Sequence, residues 1–428
     1  MIKWKQNTIF KPVACFLILC LSLFIFPTKI TYAENPPSAA ADSVVLLDAT
    51  TGEILYSRNM NTAYPPASTT KVMTALLTLE NCDLDEIVTI PEKAVGIEGS
   101  KIWILKDEDI TVRNLLLALM LESANDCAVA LAIHVGGSEE AFVKMMNDKA
   151  KELGLKNTNF ENPHGLYNNK HKTSAYDLAQ IMREAVKYPE FVKISTTVSA
   201  KVPGTTQVPK GHPLWNKNKL VQGGNLHYKY IESGKTGYTT QSQHSYVASA
   251  QKDGQRLIVA LVHDEIKNYF YDAIELFNYG FDNYKLEKIY SAGETITTYE
   301  DEGISMPLIA KDDVYMTLKK DSSAKPELTL ADIDKNSVYI YGDEVTTGTA
   351  KIGKSTVDIT LLAGDEYFPP TAKINKTYVE KTTAETQSTP QYPVYPFVIT
   401  VLIIIMLIVI TRIIQIKKKS RKKNIFWD

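Results

Sequence analysis

Ser68 and Lys71 stand three residues apart in the stretch AYPPASTTKVMTALLTL, where a proline pair gives way to helix-forming residues. A serine hydroxyl is a poor nucleophile at neutral pH and needs a base beside it. Lysine can serve if it sheds its proton, but a free pKa of about 10.4 leaves little neutral amine at pH 7. Burial and a neighbouring positive charge depress that pKa, and a fall of roughly 3 units costs about 4 kcal/mol. The first and fourth residues of one helical turn share a face, so a single turn can hold the pair together. The N-terminus of that helix also favours negative charge developing nearby. A chemically silent role is open too, since Ser68 or Thr69 is a natural N-cap.

Spacing alone does not select this pair. S-x-x-K recurs at Ser249–Lys252, Ser322–Lys325 and Ser420–Lys423. The first of these spans a strand end and a turn, and the other two fall in a loop and in the tail. The histidine alternative has no local support, because there is no G-x-S-x-G elbow and no His near Ser68 in sequence. Two other segments favour Ser68–Lys71. LESANDCAVALA places Ser123 and Asn125 at a junction between apolar helices, and IESGKTGYTTQ holds the chain's one K-T-G, Lys235-Thr236-Gly237. At the head of a strand, Lys235 and Thr236 could hold a carboxylate while Gly237 lets backbone approach closely. The bland alternatives are Ser123 as a helix-junction cap and Lys235 as a plain surface charge.

S-x-x-K, then S-x-N, then K-T-G is the order found in penicillin-binding proteins and β-lactamases. The chain resembles the low-molecular-weight penicillin-binding proteins of the D-alanyl-D-alanine carboxypeptidase family. The likeness runs over most of residues 40–283, through PPASTTKVMTAL, SANDCAVALA, NPHGLYNNKHKTSAYDLA and SGKTGYTTQSQHSYVASAQKDGQRLIVALV. It implies a penicillin-binding/serine β-lactamase-like transpeptidase fold, with Ser68 as the acylated nucleophile and Lys71 as its general base. Ser123 would relay a proton to the leaving amine and Asn125 would hold the substrate amide. Lys235 and Thr236 would receive the terminal carboxylate, beside Gly237. Backbone N–H groups of Ser68 and Tyr238 would hold the oxyanion. The implied substrates are peptidoglycan stem peptides ending in D-Ala-D-Ala, and β-lactams are the implied inhibitors. No metal or organic cofactor is implied. A D,D-endopeptidase, transpeptidase or β-lactamase on the same fold, or a non-catalytic wall-binding sensor, are the alternatives. The segment QVPKGHPLWNKNKLVQGGNLHYKYIE departs from the family's usual approach to the third motif. His164 in NPHGL sits in a loop and reads as structural, and the surroundings of Glu161 do not match a deacylating carboxylate of class A β-lactamases.

The elements that must position these residues follow from periodicity. SVVLLDATTGEILYSRN reads as strand, turn, strand. Val72, Met73, Leu76 and Leu79 then recur at helical spacing. TVRNLLLALMLESANDCAVALAIHVGG gives two helices meeting at Ser123–Asp126, with amphipathic helices over SEEAFVKMMNDKAKELG and TSAYDLAQIMREAVKY. SYVASAQKDGQRLIVALVH is a hairpin turning at Lys252–Gly254, and YFYDAIELFNYGFDNY closes with a helix. The pattern predicts one α+β domain over 40–283 whose sheet joins N- and C-terminal strands. A small all-β domain over 284–375 follows. GTAKIGKS, Gly348–Ser355, spells a phosphate loop, but strand-like residues follow it where that chemistry needs a helix.

The 428 residues carry a net charge of -2, so the molecule as a whole shows no polyanion-binding signature and no nucleic-acid partner is expected. Residues 1–33 have a lysine-rich start, a short apolar core and a small-residue exit, the pattern of a secretory signal peptide. Cys82 and Cys127 remain beyond it and read as ordinary buried thiols. Residues 376–395, rich in Thr, Pro and Gln, read as an extended stalk reaching up to about 60 Å. Residues 396–416 are apolar enough to span a bilayer, and the basic tail 417–428 is then cytoplasmic by the positive-inside rule. The expected location is a single-pass cell-membrane protein with its catalytic domain on the wall side.

Overall fold

A computed structural model of the chain describes residues 36–301 and 304–369. The expected signal peptide, stalk, spanning segment and basic tail lie outside those residues. Among the described residues, no helix is long and apolar enough to cross a membrane.

Two continuous apolar runs organise the first compact unit, residues 36–296, 309–331 and 346–361. One is β1 (Ser43–Asp48), the other lies in β9 (Gln255–Asp264), and they pair antiparallel with Val45 opposite Ala260. β2 (Ile54–Arg58), β8 (Gln243–Lys252) and β7 (Ile231–Thr239) complete a five-stranded sheet in the order β2-β1-β9-β8-β7. Side chains alternate across a strand, so β1 feeds two cores at once. Val45 and Leu47 join Val247, Ile258 and Ala260 on one face, while Val44 and Leu46 join Tyr246, Ala248 and Val259 on the other. Helices cover both faces, which is why these strands read as unbroken apolar runs. Each fully buried Val, Leu or Ile contributes about 1.5–3 kcal/mol.

The first face packs on a helical block. It comprises α1 (Lys71–Asn81), α2 (Val112–Leu121), α3 (Asn125–Gly136), α4 (Glu139–Glu152), α5 (Ala175–Ala185) and α6 (Pro189–Thr196). The second face packs on α7 (Tyr269–Asn283) through Phe270, Leu276, Phe277 and Phe281. Helix α6 and two small two-stranded sheets, β3 (Ile87–Thr89) with β4 (Asp109–Thr111) and β5 (Ser199–Val202) with β6 (His212–Trp215), are additions to the sequence reading. Strands of three or four residues are too short to show a period.

After α7 every described element is a strand. β10 (Tyr284–Tyr290) pairs with β13 (Val314–Lys319), and β14 (Glu327–Leu330) pairs with β15 (Glu344–Ile352). β11 (Thr295–Asp301) and β12 (Ile304–Ala310) come between the first two, and β16 (Ser355–Ala363) comes last. GTAKIGKS thus closes β15, turns at Gly353 with φ +62°, and opens β16. No helix N-terminus follows it to receive phosphate. The second compact unit, residues 297–308, 332–345 and 362–369 where described, gathers Tyr299 and Tyr339 around the buried ring of Tyr367.

Candidate active site

Helix α1 starts one residue later than capping logic predicts. Ala67–Thr70 form a 3-10 turn, α1 begins at Lys71, and no side chain caps either segment. Ser68 and Thr69 are therefore not N-caps, and the Ser68 hydroxyl is free for another partner. That partner is Lys71, whose Nζ lies 3.0 Å from Ser68 Oγ. Lys71 Nζ also donates to Asn125 Oδ1 at 2.7 Å and to the His164 carbonyl at 2.6 Å. Lys71 is fully buried. Burial first, and the Lys235 charge second, push its pKa well below the ordinary lysine value, with Lys217 adding and Asp126 opposing.

K-T-G lies inside a strand rather than at its head, as the fifth to seventh residues of β7. The backbone of β7 runs directly against the Ser68 turn. A Cβ on Gly237 would come within 2.7 Å of Pro66 O and 2.9 Å of Ser68 N, so only glycine allows this approach. Lys235 is buried, and burial together with the Lys217 charge lowers its pKa to about 7. Its Nζ donates to Thr236 O at 2.9 Å. Thr236 is half-buried, and Tyr238 is exposed and stacks on His244 with ring centroids 4.4 Å apart.

The helix junction supplies the third side. Asn125 opens α3, and its Nδ2 donates to Glu98 O at 2.6 Å, which leaves Oδ1 facing Lys71. Ser123, two residues earlier, sits at φ +62°, a conformation that strains a non-glycine residue. Its buried Oγ has no hydrogen-bond partner among the described residues. A strained backbone bearing an unpartnered buried hydroxyl is a device for holding a group ready for a ligand. All eight residues singled out from sequence thus fall on three segments converging at one turn.

A serine hydroxyl beside a buried amine of depressed pKa, an unpartnered hydroxyl and a second buried lysine can together perform acyl transfer. Residues 30–265 match the profile of the D-alanyl-D-alanine carboxypeptidase family. The chain belongs to this family. It is a serine-type hydrolase of that class, and relatives agree along most of its length. D-alanyl-D-alanine carboxypeptidase DacF of Bacillus subtilis is 37% identical over 262 residues, covering 60% of this chain and 66% of that one, just under two thirds. The DacD enzyme of Escherichia coli K12 is 35% identical over 303 residues, covering 66% of this chain and 75% of the relative. The structure of penicillin-binding protein 5 from Haemophilus influenzae superposes with a TM-score of 0.67 at 28% identity, covering 78% of this chain and 98% of that one.

Within this carboxypeptidase scaffold several supporting residues escape a motif search. Lys217 bears on both buried lysines, and its Nζ is held by Glu122 O at 2.7 Å and Glu122 Oε2 at 3.2 Å. It comes from the segment that departs from the family's usual pattern. Asp126, buried, accepts from the N–H groups of Ile102, Trp103 and Ile104, anchoring the loop that leaves Trp103 exposed. His164 serves through its carbonyl, and burial and the Lys71 charge lower its imidazole pKa to about 3. Glu161 is exposed, and its carboxylate accepts from Asn159 Nδ2. Cys82, half-buried, and Cys127, buried, are both free thiols.

Proposed function

We propose that the chain removes the terminal D-alanine from peptidoglycan stem peptides through an acyl-enzyme on Ser68. The carrying observation is the 3.0 Å contact between Ser68 Oγ and a buried amine whose pKa lies well below the ordinary lysine value. Ser68 Oγ attacks the carbonyl between the two terminal D-alanines as its proton passes to Lys71 Nζ. Backbone N–H groups of Ser68 and Tyr238 stabilise the oxyanion. Ser123 passes a proton to the departing amine, and free D-alanine leaves. Water, deprotonated by the same amine, then cleaves the Ser68 ester. Asn125 positions the substrate amide, and the Lys235 cation with Thr236 receives the terminal carboxylate. β-Lactams present a similar carbonyl and carboxylate and acylate Ser68. Export by residues 1–33 and anchoring by residues 396–416 place this chemistry on the wall side of the membrane.

The test is product analysis with a pentapeptide ending in D-Ala-D-Ala. Free D-alanine is expected as the main product, and Ser68→Ala is expected to abolish its release by at least roughly a thousandfold. Cleavage of cross-linked dimers with little D-alanine released would instead favour an endopeptidase. Folded protein that gains no mass on Ser68 after penicillin treatment would defeat the acyl-enzyme reading altogether.

A further inference from the structure

Away from the nucleophile, three donor groups of different chemistry meet at one spot. Cys82 caps the C-terminus of α1, Glu86 lies just before β3, and His134 stands in the last turn of α3. One ligand atom from each, Sγ, a carboxylate oxygen and an imidazole nitrogen, lies within 4.8 Å of the others. We propose that Cys82, Glu86 and His134 form a binding site for a divalent ion of the zinc class, with a fourth position open to water.

The donor set suits that ion. Zinc takes thiolate, imidazole and carboxylate at about 2.0–2.3 Å, and three protein ligands with one open position is an established arrangement for it. A hard cation such as calcium or magnesium would want an all-oxygen set. The carboxylate is already oriented. Glu86 Oε1 accepts from Asp83 N at 2.6 Å, which turns Oε2 toward His134 Nε2 at 3.1 Å. Outer hydrogen bonds of this kind fix first-sphere ligands in metal sites. The three side chains are half-buried or exposed, so an ion can arrive from solvent without unfolding the region. Of the two further carboxylates on this loop, Asp85 is drawn off to Arg113 at 3.6 Å.

The location gives the ion something to do. Helices α1 and α3 begin with Lys71 and Asn125, the two residues hydrogen-bonded to each other beside Ser68, and end at the proposed ligands. An 11-residue helix spans roughly 16 Å. An ion there clips together the far ends of the two helices whose near ends carry the chemistry, outside the substrate's reach. The site lies apart from the Ser68 chemistry, so the proposal holds whatever the substrate proves to be.

The experiment is titration of the purified full-length chain with cobalt(II) alone, as a spectroscopic stand-in for zinc. A thiolate-to-metal charge-transfer band saturating at one equivalent, and displaced by zinc(II), is expected. Cys82→Ser should remove the band, while buried Cys127 should contribute nothing to it. Zinc should raise the unfolding midpoint of the parent chain but not of Cys82→Ser. Because Cys82→Ser could misfold, the exposed Glu86→Gln provides a second route and should weaken cobalt binding at least about tenfold. The proposal fails if no band forms at one equivalent, if the band survives Cys82→Ser, or if Glu86→Gln binds cobalt as tightly as the parent.

Discussion

At Lys71 two of the three neighbours, Asn125 Oδ1 and His164 O, can only accept, so the amine keeps two protons turned toward them. Its third direction faces Ser68 Oγ. Deprotonation therefore leaves the lone pair where the hydroxyl proton is. Lys235 works in the opposite sense, because it must be charged to hold a carboxylate. With a pKa of about 7 it is mostly cationic below that pH and mostly neutral above it. Lys71 must be neutral to take the Ser68 proton, and burial pushes its pKa well below the ordinary lysine value, while Lys235 governs the alkaline side of the profile. For peptide substrates kcat/KM should thus fall above about pH 7 through a rising KM, with kcat nearly flat, because a bound carboxylate restores the charge. In Lys235→Arg, whose guanidinium stays charged, that alkaline fall should disappear; a fall that persists would assign the limb elsewhere. His171 is a different kind of residue. Its Nδ1 accepts from Glu161 N, so Nε2 carries the hydrogen and donates to Thr70 Oγ1 at 2.8 Å, and Thr70 in turn donates to Ala67 O. Burial and the Lys71 charge lower its pKa to about 3, so it stays neutral throughout the working range. His171→Ala should lower stability by about 1–3 kcal/mol in denaturant unfolding and slow β-lactam acylation, while leaving the pH profile unmoved. A displaced pH profile would make His171 a proton carrier instead of a support.

Between elements, the site depends on three backbones touching a single turn. Ala67 itself adopts φ +51°, and Gly165, at φ +87°, lies so close that a Cβ there would fall 1.8 Å from Ala67 O. No rotamer relieves a clash between two backbones. Gly165→Ala should therefore shift the Ser68 turn, cutting acylation by a β-lactam at least roughly tenfold while helical content is kept; unchanged acylation would show that the turn yields freely. This close packing also explains what could be read without coordinates. A sheet joining N- and C-terminal strands beside a helical block was legible because β1 and β9 are continuous apolar runs and α1, α4 and α5 carry clear apolar stripes. The converging motifs were legible because S-x-x-K, S-x-N and K-T-G each ride on such an element. Capping at Ser68 was misjudged, since the chain enters α1 through a 3-10 turn and no side chain caps either segment. Lys217, Asp126 and the His164 carbonyl were invisible. A backbone oxygen has no sequence signature, and Lys217 sits after β6, whose four residues are too few to show a strand.

At the scale of the whole molecule, the same chemistry acquires an address. The wall polymer cannot diffuse to the enzyme, so an active domain is useful only where it is held. Residues 396–411 carry no charged residue, and six basic residues lie between Lys417 and Lys423. Under the proposed anchoring, the apolar segment crosses the bilayer and leaves the tail in the cytoplasm. The Thr- and Pro-rich residues 376–395 would then set a reach of up to about 60 Å. Tethering changes local concentration and leaves the reacting groups alone, so anchoring and catalysis should separate cleanly. A chain ending at Tyr395 should leave the membrane fraction, cleave a soluble pentapeptide with kcat/KM within about twofold of the full chain, and trim wall pentapeptides in cells far less completely. Retention of that chain on membranes would move the anchor elsewhere. A loss of turnover on the soluble peptide would mean that residues 396–428 act on the Ser68 turn as well as on its address.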